Sequence, residues 1–501
     1  MTTRLDRLVG LLDSGATPVV RATAARQIGG IQRQHPEELF GLLGRVYEHV
    51  SSKSWDTRVA AAQAIEAIAR EVAEWDPNGD DALDEKPDTT ALEEAEDEAE
   101  QLQFSQFDVD SVIQHGRLLL GSAGREYDED EAALAGMDKA QRVAAQRQQM
   151  RKRLGLGAEF FGDDLVNDDD LHTSTRRAEP VAVKAEEPSS QAAEIDMSKL
   201  SARERNRLKR KARLEGTAGD KNKRKQKKLD IGAGKEAKVA TAVAVTEQAG
   251  QENTIVVEAT RASAREAVFA ISAGRWAFGG LAAVLLVDLF DAAWETRHGA
   301  ALALRALLKH QGAGGGRQRG ASAEENARRN QRFLEDASVR LACVFALDRF
   351  GDFVSDHVVA PVRETCAQAL AAASQWADAA LVKRVQAALL QLAERGEARG
   401  AWEVRHAGLS ALRYVVAVRR DLAGVLAPDA VAAALHALGG ADDDVRAVAA
   451  ATLLPLVDAL VAAQPQRLPA LVDAAVQALG DAAADDLAAC AAGVLQLLAK
   501  L

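Results

Sequence analysis

The sequence predicts an all-α fold: a HEAT-repeat α-solenoid interrupted by a long, largely disordered insertion. Three observations carry this reading. Hydrophobic residues make up 48% of the 501 positions but aromatics only 4%, so Ala, Leu and Val must build the core. Ala and Leu favour helices over strands. Apolar residues recur at helical spacing on both sides of the insertion. Finally, a Trp-acid-x-Arg pattern opens three Ala/Leu-rich runs, at Trp55-Asp56-Thr57-Arg58, Trp294-Glu295-Thr296-Arg297 and Trp402-Glu403-Val404-Arg405. Weaker copies are Ser338-Val339-Arg340, Pro361-Val362-Arg363 and Asp444-Val445-Arg446. Arginine spacings of 43 (297 to 340), 42 (363 to 405) and 41 (405 to 446) match one helix pair per repeat. The 23 residues from Arg340 to Arg363 suit two helices of a single repeat. Pairs at ~40–47 residues are the mark of HEAT or armadillo arrays.

In order along the chain, residues 1–76 read as N-terminal repeats. Leu5, Leu8, Leu11 and Leu12 share one helix face. A second helix after Thr17-Pro18 turns Ala22, Ala25, Ile28 and Ile31 inward and stops at His35-Pro36. Leu39, Leu42, Leu43, Val46 and Val50 stripe a third. Trp55 opens a fourth, with Val59, Ala62, Ile65 and Ile68 inside. Residues 77–130 are an acidic tether carrying a short apolar island. Between Asp76 and Glu100 there are 12 acids and one base. Residues 131–254 form a charged, mostly disordered linker, with 16 Lys and Arg against 5 acids from Lys199 to Lys238. Such segregated charge cannot bury enough apolar surface to offset ordering entropy. Helical periodicity returns over 255–501. In the Trp motif the acid complements the helix dipole, the Arg is placed to pair with an acid of a neighbouring repeat, and the Trp caps the seam.

No enzymatic or metal chemistry stands out, and no cofactor is expected. Gly232-Ala233-Gly234-Lys235 lacks the Gly, the Ser or Thr and the preceding strand that a phosphate loop needs. The histidines show no zinc-protease spacing, and Cys343, Cys366 and Cys490 have no CxxC partner and read as small buried hydrophobes. Charge interrupts every apolar run well short of the ~20 residues of a membrane span, so no membrane partner is expected. The N-terminus has no signal-peptide pattern.

Recognition is the role left. In the island, Asp108 or Asp110 caps a helix, and Val112, Ile113, Gly116, Leu119 and Leu120 form a stripe behind Phe104 and Phe107. Val109 and Tyr127 belong to the same apolar set. Two readings stay open: a segment that folds on a basic, hydrophobic partner, or a helix docked on the chain's own solenoid. Lys209, Arg210 and Lys211, followed by Lys223, Arg224, Lys225, Lys227 and Lys228, have the form of a bipartite nuclear import signal. A nuclear import receptor is the preferred partner, with direct nucleic-acid contact the competitor. Without interleaved aromatics, base stacking is not indicated.

Several blocks resemble a known family. MTTRLDRLVGLLDSGATPVVRATAARQIGGIQRQHPEEL, WDTRVAAAQAIEAI, FDVDSVIQHGRLLLGSAGREYD, RKRLGLG, SARERNRLKRKAR, WETRHGAALALRALLKHQG and VRLACVFALDRFGDFVSDHVVAPVRETCAQAL are similar to the N-terminal region of the TATA-binding-protein-associated remodelling ATPases, the SNF-type modifiers of transcription. The resemblance covers residues 1 to about 420 in blocks. It implies a nuclear protein whose HEAT array grips TATA-binding protein (TBP). It further implies an inserted latch over TBP's DNA-binding face, with DNA engaged indirectly through TBP. A C-terminal ATPase would strip TBP from promoters. The sequence has no Walker A or helicase motif, so it is read as a binding module, either alone or as a fragment, and not as an enzyme. The latch residues are then Phe104, Phe107, Val109, Val112, Ile113, Leu119, Leu120 and Tyr127. The alternative function is a general nuclear scaffold or import-receptor-like adaptor.

Overall fold

Every Trp-acid-x-Arg motif sits at the first turn of a helix, and the helices it opens belong to one continuous stack. In a computed structural model of the chain, the structure describes residues 4–75, 77, 101–120, 274–350, 352–354, 357–484 and 488–501. The predicted disorder of the insertion, Tyr127 and the whole basic block lie outside them. The described residues all fall within one compact unit.

The N-terminal helices are α1 (Arg4–Ser14), α2 (Pro18–Gln34), α3 (Leu39–Tyr47) and α4 (Trp55–Glu71). Thr17 caps α2 through its side chain, with Pro18 at the first helical position, and Ser54 caps α4. The island supplies α5 (Val109–His115). Then follow α6 (Gly279–Asp288), α7 (Trp294–Gln311), α8 (Ala323–Leu347), α9 (Pro361–Ser374), α10 (Ala379–Ala398), α11 (Trp402–Val418), α12 (Ala423–Leu438), α13 (Asp443–Leu453), α14 (Val457–Ala463), α15 (Leu468–Ala484) and α16 (Ala488–Lys500). One short antiparallel hairpin, β1 (Asp352–Val354) and β2 (His357–Val359), interrupts the all-helical plan between α8 and α9, with Phe353 opposite Val358.

Contacts among these helices define a solenoid. The second helices of successive pairs, α2, α4, α7, α9, α11, α13 and α16, each pack on the next. Their partners α1, α3, α6, α8, α10, α12 and α15 lie on them as an outer layer. The shared layer is built of small apolar side chains: Ala64, Ile65 and Ile68 on α4, Ala300, Ala303 and Leu307 on α7, and Ala369, Leu370 and Ala373 on α9 are all buried. Close approach demands glycine at Gly299, where an added Cβ would lie 1.8 Å from the Val50 carbonyl oxygen.

The helices α4 and α7 pack as consecutive repeats although the insertion separates them. Their contact is tied by polar groups as well. Gln311 Nε2 donates to the Ala69 and Val72 carbonyls at 2.9 and 2.8 Å. Glu66 accepts from Lys309 and pairs with His310, each at 3.1 Å. Burial raises the Glu66 carboxyl, yet these two partners outweigh it and hold the pKa at about 2. Tyr47 on α3 donates to Asp288 at the end of α6.

The motif arginines are buried, Arg58 and Arg297 completely. Arg58 Nη1 donates to the carbonyls of Ser52 (2.7 Å) and Lys53 (3.1 Å), six and five residues back. Arg297 Nη1 repeats this with Asp291 (2.9 Å) and Ala292 (3.2 Å). Arg58 also stacks 4.7 Å from the ring centre of Trp294, the motif tryptophan of the next pair. Arg363 lies over Trp402 at 5.5 Å and donates to the Glu403 carbonyl. The expected acid partner from a neighbouring pair is present at Arg297, whose Nη2 lies 3.8 Å from Asp348 at the end of α8, while both Arg58 and Arg297 also hold loop carbonyls at shorter range. Acids serve at Arg405 (Glu397, 3.2 Å) and Arg446 (Asp481, 2.7 Å). Arg340 is not a repeat marker at all. It lies deep in α8 and pairs with Asp336 one turn earlier.

Arg420–Leu438 and Asp443–Ala463 are long and apolar enough to cross a membrane by length and composition. Here they are solenoid helices, with Val431, Ala434, Leu438, Val445 and Leu453 in the core. The spacing of charges along the sequence had excluded such runs.

Replacing Gly299 by Ala forces α7 away from the Val50 carbonyl. We expect a loss of about 1–3 kcal/mol, read as a lower urea midpoint. An unchanged midpoint would show that the α4–α7 contact tolerates wider spacing.

Candidate partner-binding segment

The apolar island docks on the outer helices of the solenoid. Asp108 accepts from the Asp110 amide at 3.0 Å and caps α5, as its position predicts. Upstream, a single 3-10 turn holds Phe104 and Phe107 edge to face at 6.1 Å. The backbone here is tied down by α8 carboxylates: the Leu102 amide donates to Asp336 at 2.8 Å and the Phe104 amide to Glu335 at 3.1 Å. Asp110 pairs with Arg395 (3.2 Å) and Arg399 (2.8 Å), one turn apart on α10. Downstream, Leu119 pairs in parallel with Asp348: its amide donates to the Leu347 carbonyl at 3.0 Å, and its carbonyl accepts from Arg349 at 2.8 Å. Arg297 Nη2 then donates to the Leu120 carbonyl at 2.7 Å.

This arrangement divides the expected apolar stripe. The helix ends at His115, so Val112, Ile113, Leu119 and Leu120 do not lie on one continuous helical face. Gly116 carries the chain past Leu347, where a Cβ would meet a Leu347 methyl at 2.4 Å. Leu119 and Leu120 are extended, so their side chains point opposite ways. Val109 and Leu119 are buried, at 3% and 5% exposure, while Leu118 and Leu120 are 46% and 64% exposed. Phe104, Phe107, Val112 and Ile113 are half-buried. The sequence reading missed the docking residues Glu335, Asp336, Arg395 and Arg399. The i, i+4 arginines on α10 were the available signal, as a basic patch suited to an acidic segment.

Beneath Leu119 lies a charged centre. Asp348 is fully buried between Arg363 Nε (3.1 Å) and Arg297 Nη2 (3.8 Å). Burial drives its carboxyl up to about 6 in spite of these cations. The His298 ring, against Trp55 at 4.4 Å, accepts from Arg58 Nε through Nδ1. Burial first, then Arg58, pushes its pKa well down, so the ring is neutral. These groups are locked in helix-to-helix contacts. They form a structural seam that reaches the island through Arg297.

Comparison with known proteins follows the same span. No family model matches the chain. It is 38% identical to human TATA-binding protein-associated factor 172 over 511 residues, 99% of this chain and 27% of the relative. It is 38% identical to the TATA-binding protein-associated factor mot1 of Aspergillus fumigatus over 554 residues, 98% of this chain and 29% of the relative. Over the stretch it shares with them, the chain belongs to the family of TATA-binding protein-associated factors. It spans less than a third of the length of these relatives. A crystal structure of the Mot1 N-terminal domain in complex with TBP aligns with 91% of this chain and 37% of that one, at 14% identity and a TM-score of 0.39.

In this family member, the backbone pairing at Leu119 predicts a measurable seat. Leu119→Pro removes the donor to the Leu347 carbonyl. Amide exchange over residues 109–119 should then speed up at least about fivefold, the equivalent of the ~1 kcal/mol of one hydrogen bond. Exchange in α11 should stay unchanged. An unaltered rate at 109–119 would mean that side chains alone hold the segment.

Proposed function

We propose that the chain is a TBP-binding module of a nuclear transcription regulator, which holds TBP through its helix pairs and covers TBP's DNA-binding face with the island as a latch. The observation that carries this is the kinship with TATA-binding protein-associated factors at 38% identity over 98–99% of the chain. The ATP-driven removal of TBP implied by the family resemblance needs motifs this sequence lacks, so the role proposed here is binding and blocking.

The docked geometry supports the latch reading in one respect. Val109, Asp110 and Leu119 are spent on the solenoid, whereas Leu118 and Leu120 are exposed and the Phe104–Phe107 pair is half-open. Apolar side chains beside the exposed carboxylate of Asp108 suit TBP. Its DNA-binding face inserts apolar wedges into the minor groove and carries basic residues around them. Each apolar side chain covered contributes ~1.5–3 kcal/mol. Ordering a disordered segment costs ~2–5 kcal/mol, and a segment already seated has met part of that cost.

The outward residues, Phe104, Phe107 and Leu120, are thus the ones to change. Replacing all three by Ala should let TBP bind DNA in the presence of the chain at concentrations about tenfold higher than the parent allows. Capture of TBP by the solenoid should persist. Blocking as strong as the parent's would remove the latch from the model of action. Failure to capture TBP, with capture of a small nuclear GTPase instead, would favour the adaptor reading.

Nuclear entry is proposed to depend on both basic clusters. Alanine at Lys209, Arg210, Lys211, Lys223, Arg224 and Lys225 should leave a fluorescent fusion in the cytoplasm. Full nuclear accumulation would transfer the block to another role.

A further inference from the structure

Docking of the island leaves one of its hydroxyls unengaged. Phe104–Gln106 forms the single 3-10 turn upstream of α5, and Ser105 in the middle of it is exposed. Its hydroxyl makes no hydrogen bond among the described residues. On either side the backbone is extended, with φ and ψ of −130° and 150° at Gln103 and −80° and 109° at Phe107. Three residues on, Asp108 is exposed as well. A kinase that selects its substrate by charge reads such a pattern: an accessible serine beside extended chain, with a carboxylate at the third position after it. Among the described residues one other exposed serine has an acid at that spacing, Ser322 before Glu325. Its oxygen is already used, accepting the Glu325 amide at 3.1 Å to cap α8.

The groups that hold this turn are anionic. The Phe104 amide, next in sequence to Ser105, donates to Glu335, and the Leu102 amide donates to Asp336. The cations beside those carboxylates are already committed to them: Arg384 to Glu335 through Nε and Nη2, each at 3.3 Å, and Arg340 to Asp336 at 3.0 Å. A phosphoserine carries about −1.5 to −2 charges at neutral pH and beside carboxylates acts by repulsion. At Ser105 it would add that charge one residue from an amide whose acceptor is itself an anion. The rest of the island is anchored differently, Asp110 on Arg395 and Arg399 and Leu119 on the backbone of Leu347 and Arg349. Repulsion at the turn therefore acts on residues 102–107 and leaves 109–119 seated.

We propose that Ser105 is a phosphorylation site for an acid-directed protein kinase, and that its phosphate releases the Phe104–Phe107 limb of the island from Glu335 and Asp336 while the Asp110 and Leu119 anchors hold. In the transfer, Ser105 Oγ attacks the γ-phosphorus of the kinase's nucleoside triphosphate. The Oγ–P bond forms as the bond from that phosphorus to the bridging oxygen of the β-phosphate breaks. The nucleoside diphosphate leaves, and the hydroxyl proton passes to the kinase's catalytic carboxylate. Release withdraws the two phenylalanines from the face they present, so phosphorylation weakens the block of TBP, a consequence that rests on the latch reading.

The test treats the full chain with an acid-directed kinase and ATP, locates phosphate by tandem mass spectrometry and follows amide exchange over residues 102–107 and 109–119. Phosphate should appear at Ser105 and not at Ser322. Exchange over 102–107 should then speed up at least about fivefold, the loss of about one hydrogen bond, with 109–119 unchanged. Ser105→Ala should take no phosphate at that position, and its 102–107 segment should exchange as in the untreated parent. Glu335→Gln removes the repelling charge, so within that variant phosphorylation should change the rate over 102–107 by about twofold or less. A Ser105 left unmodified by the kinase would overturn the proposal. So would unchanged or slower exchange over 102–107 once the phosphate is in place, the slower rate meaning that Arg384 has turned to the phosphate and fastened the limb. None of these readouts involves TBP: if the untreated chain fails to block TBP from DNA, the latch reading falls, and phosphate location and exchange still decide the release.

Discussion

A guanidinium removed from water must be hydrogen-bonded on every side or it destabilises whatever encloses it. Arg58, Arg297 and Arg363 are all buried in the layer of stacked helices, so the loops around them must be arranged to satisfy that demand. Arg58 and Arg297 meet part of it in the same way, through Nη1, which donates to carbonyls five and six residues upstream. Those carbonyls belong to the turn that delivers the chain into the helix, and each helix start is thereby fastened to its own loop. The flat faces of Arg58 and Arg363 lie on the tryptophan of the following pair, a contact worth ~2 kcal/mol or more when dry. Alanine and leucine burial holds the helices together but does not fix which residue faces which. The arginine seam does, because a shift of one residue would strand a buried charge.

The seam also explains how the array survives the insertion. Loop-closure entropy grows only as the logarithm of length, so each doubling of an inserted segment costs ~0.6 kcal/mol. Against that stand the contacts of α4 with α7: the Arg58–Trp294 stack, the Arg58–His298 bond, the Glu66 cluster and the two Gln311 bonds. These lie along the length of the helix pair and are specific to this pair of helices. A long insertion between the second and third pairs is therefore compatible with one continuous stack.

Much of this was legible in the sequence. The Trp motif marks helix starts because Trp, acid and buried Arg each answer a local requirement at the first turn, and the three full copies open α4, α7 and α11. The N-terminal helices were readable from periodicity and from Thr17-Pro18 and His35-Pro36. The Arg340 copy misled because Val-Arg before an Ala-rich run also describes the middle of a 25-residue helix, where an i, i+4 acid is enough partner. The stripe through Leu120 misled for a related reason. Residues at i+7 and i+8 share a face only if the helix persists, and α5 gives way to an extended strand once Leu119 finds the backbone of Leu347 and Arg349. Long-range backbone pairing leaves no periodic trace. Nor could the sequence show that Asp110 reaches Arg395 and Arg399, residues nearly three hundred positions away.

The way the island is seated bears on how a latch would work. A ligand shifts a segment between two states only by its differential affinity for them, and moving a 1:99 balance to 99:1 takes ~5.5 kcal/mol. Stripping the island from the solenoid would sacrifice the Leu119 pairing, the Arg297–Leu120 bond, two amide-to-carboxylate bonds and the Asp110 ion pairs, besides the burial of Val109 and Leu119. The apolar side chains not engaged in this seat are Leu118 and Leu120 outright and the Phe104–Phe107 pair in part. On the proposed reading, the economical path is for the island to keep its seat and receive the partner on the face it already presents. The solenoid then acts as the fixed half of a clamp and the island as a prepositioned jaw, with Arg297 joining the jaw to the seam that orders the repeats.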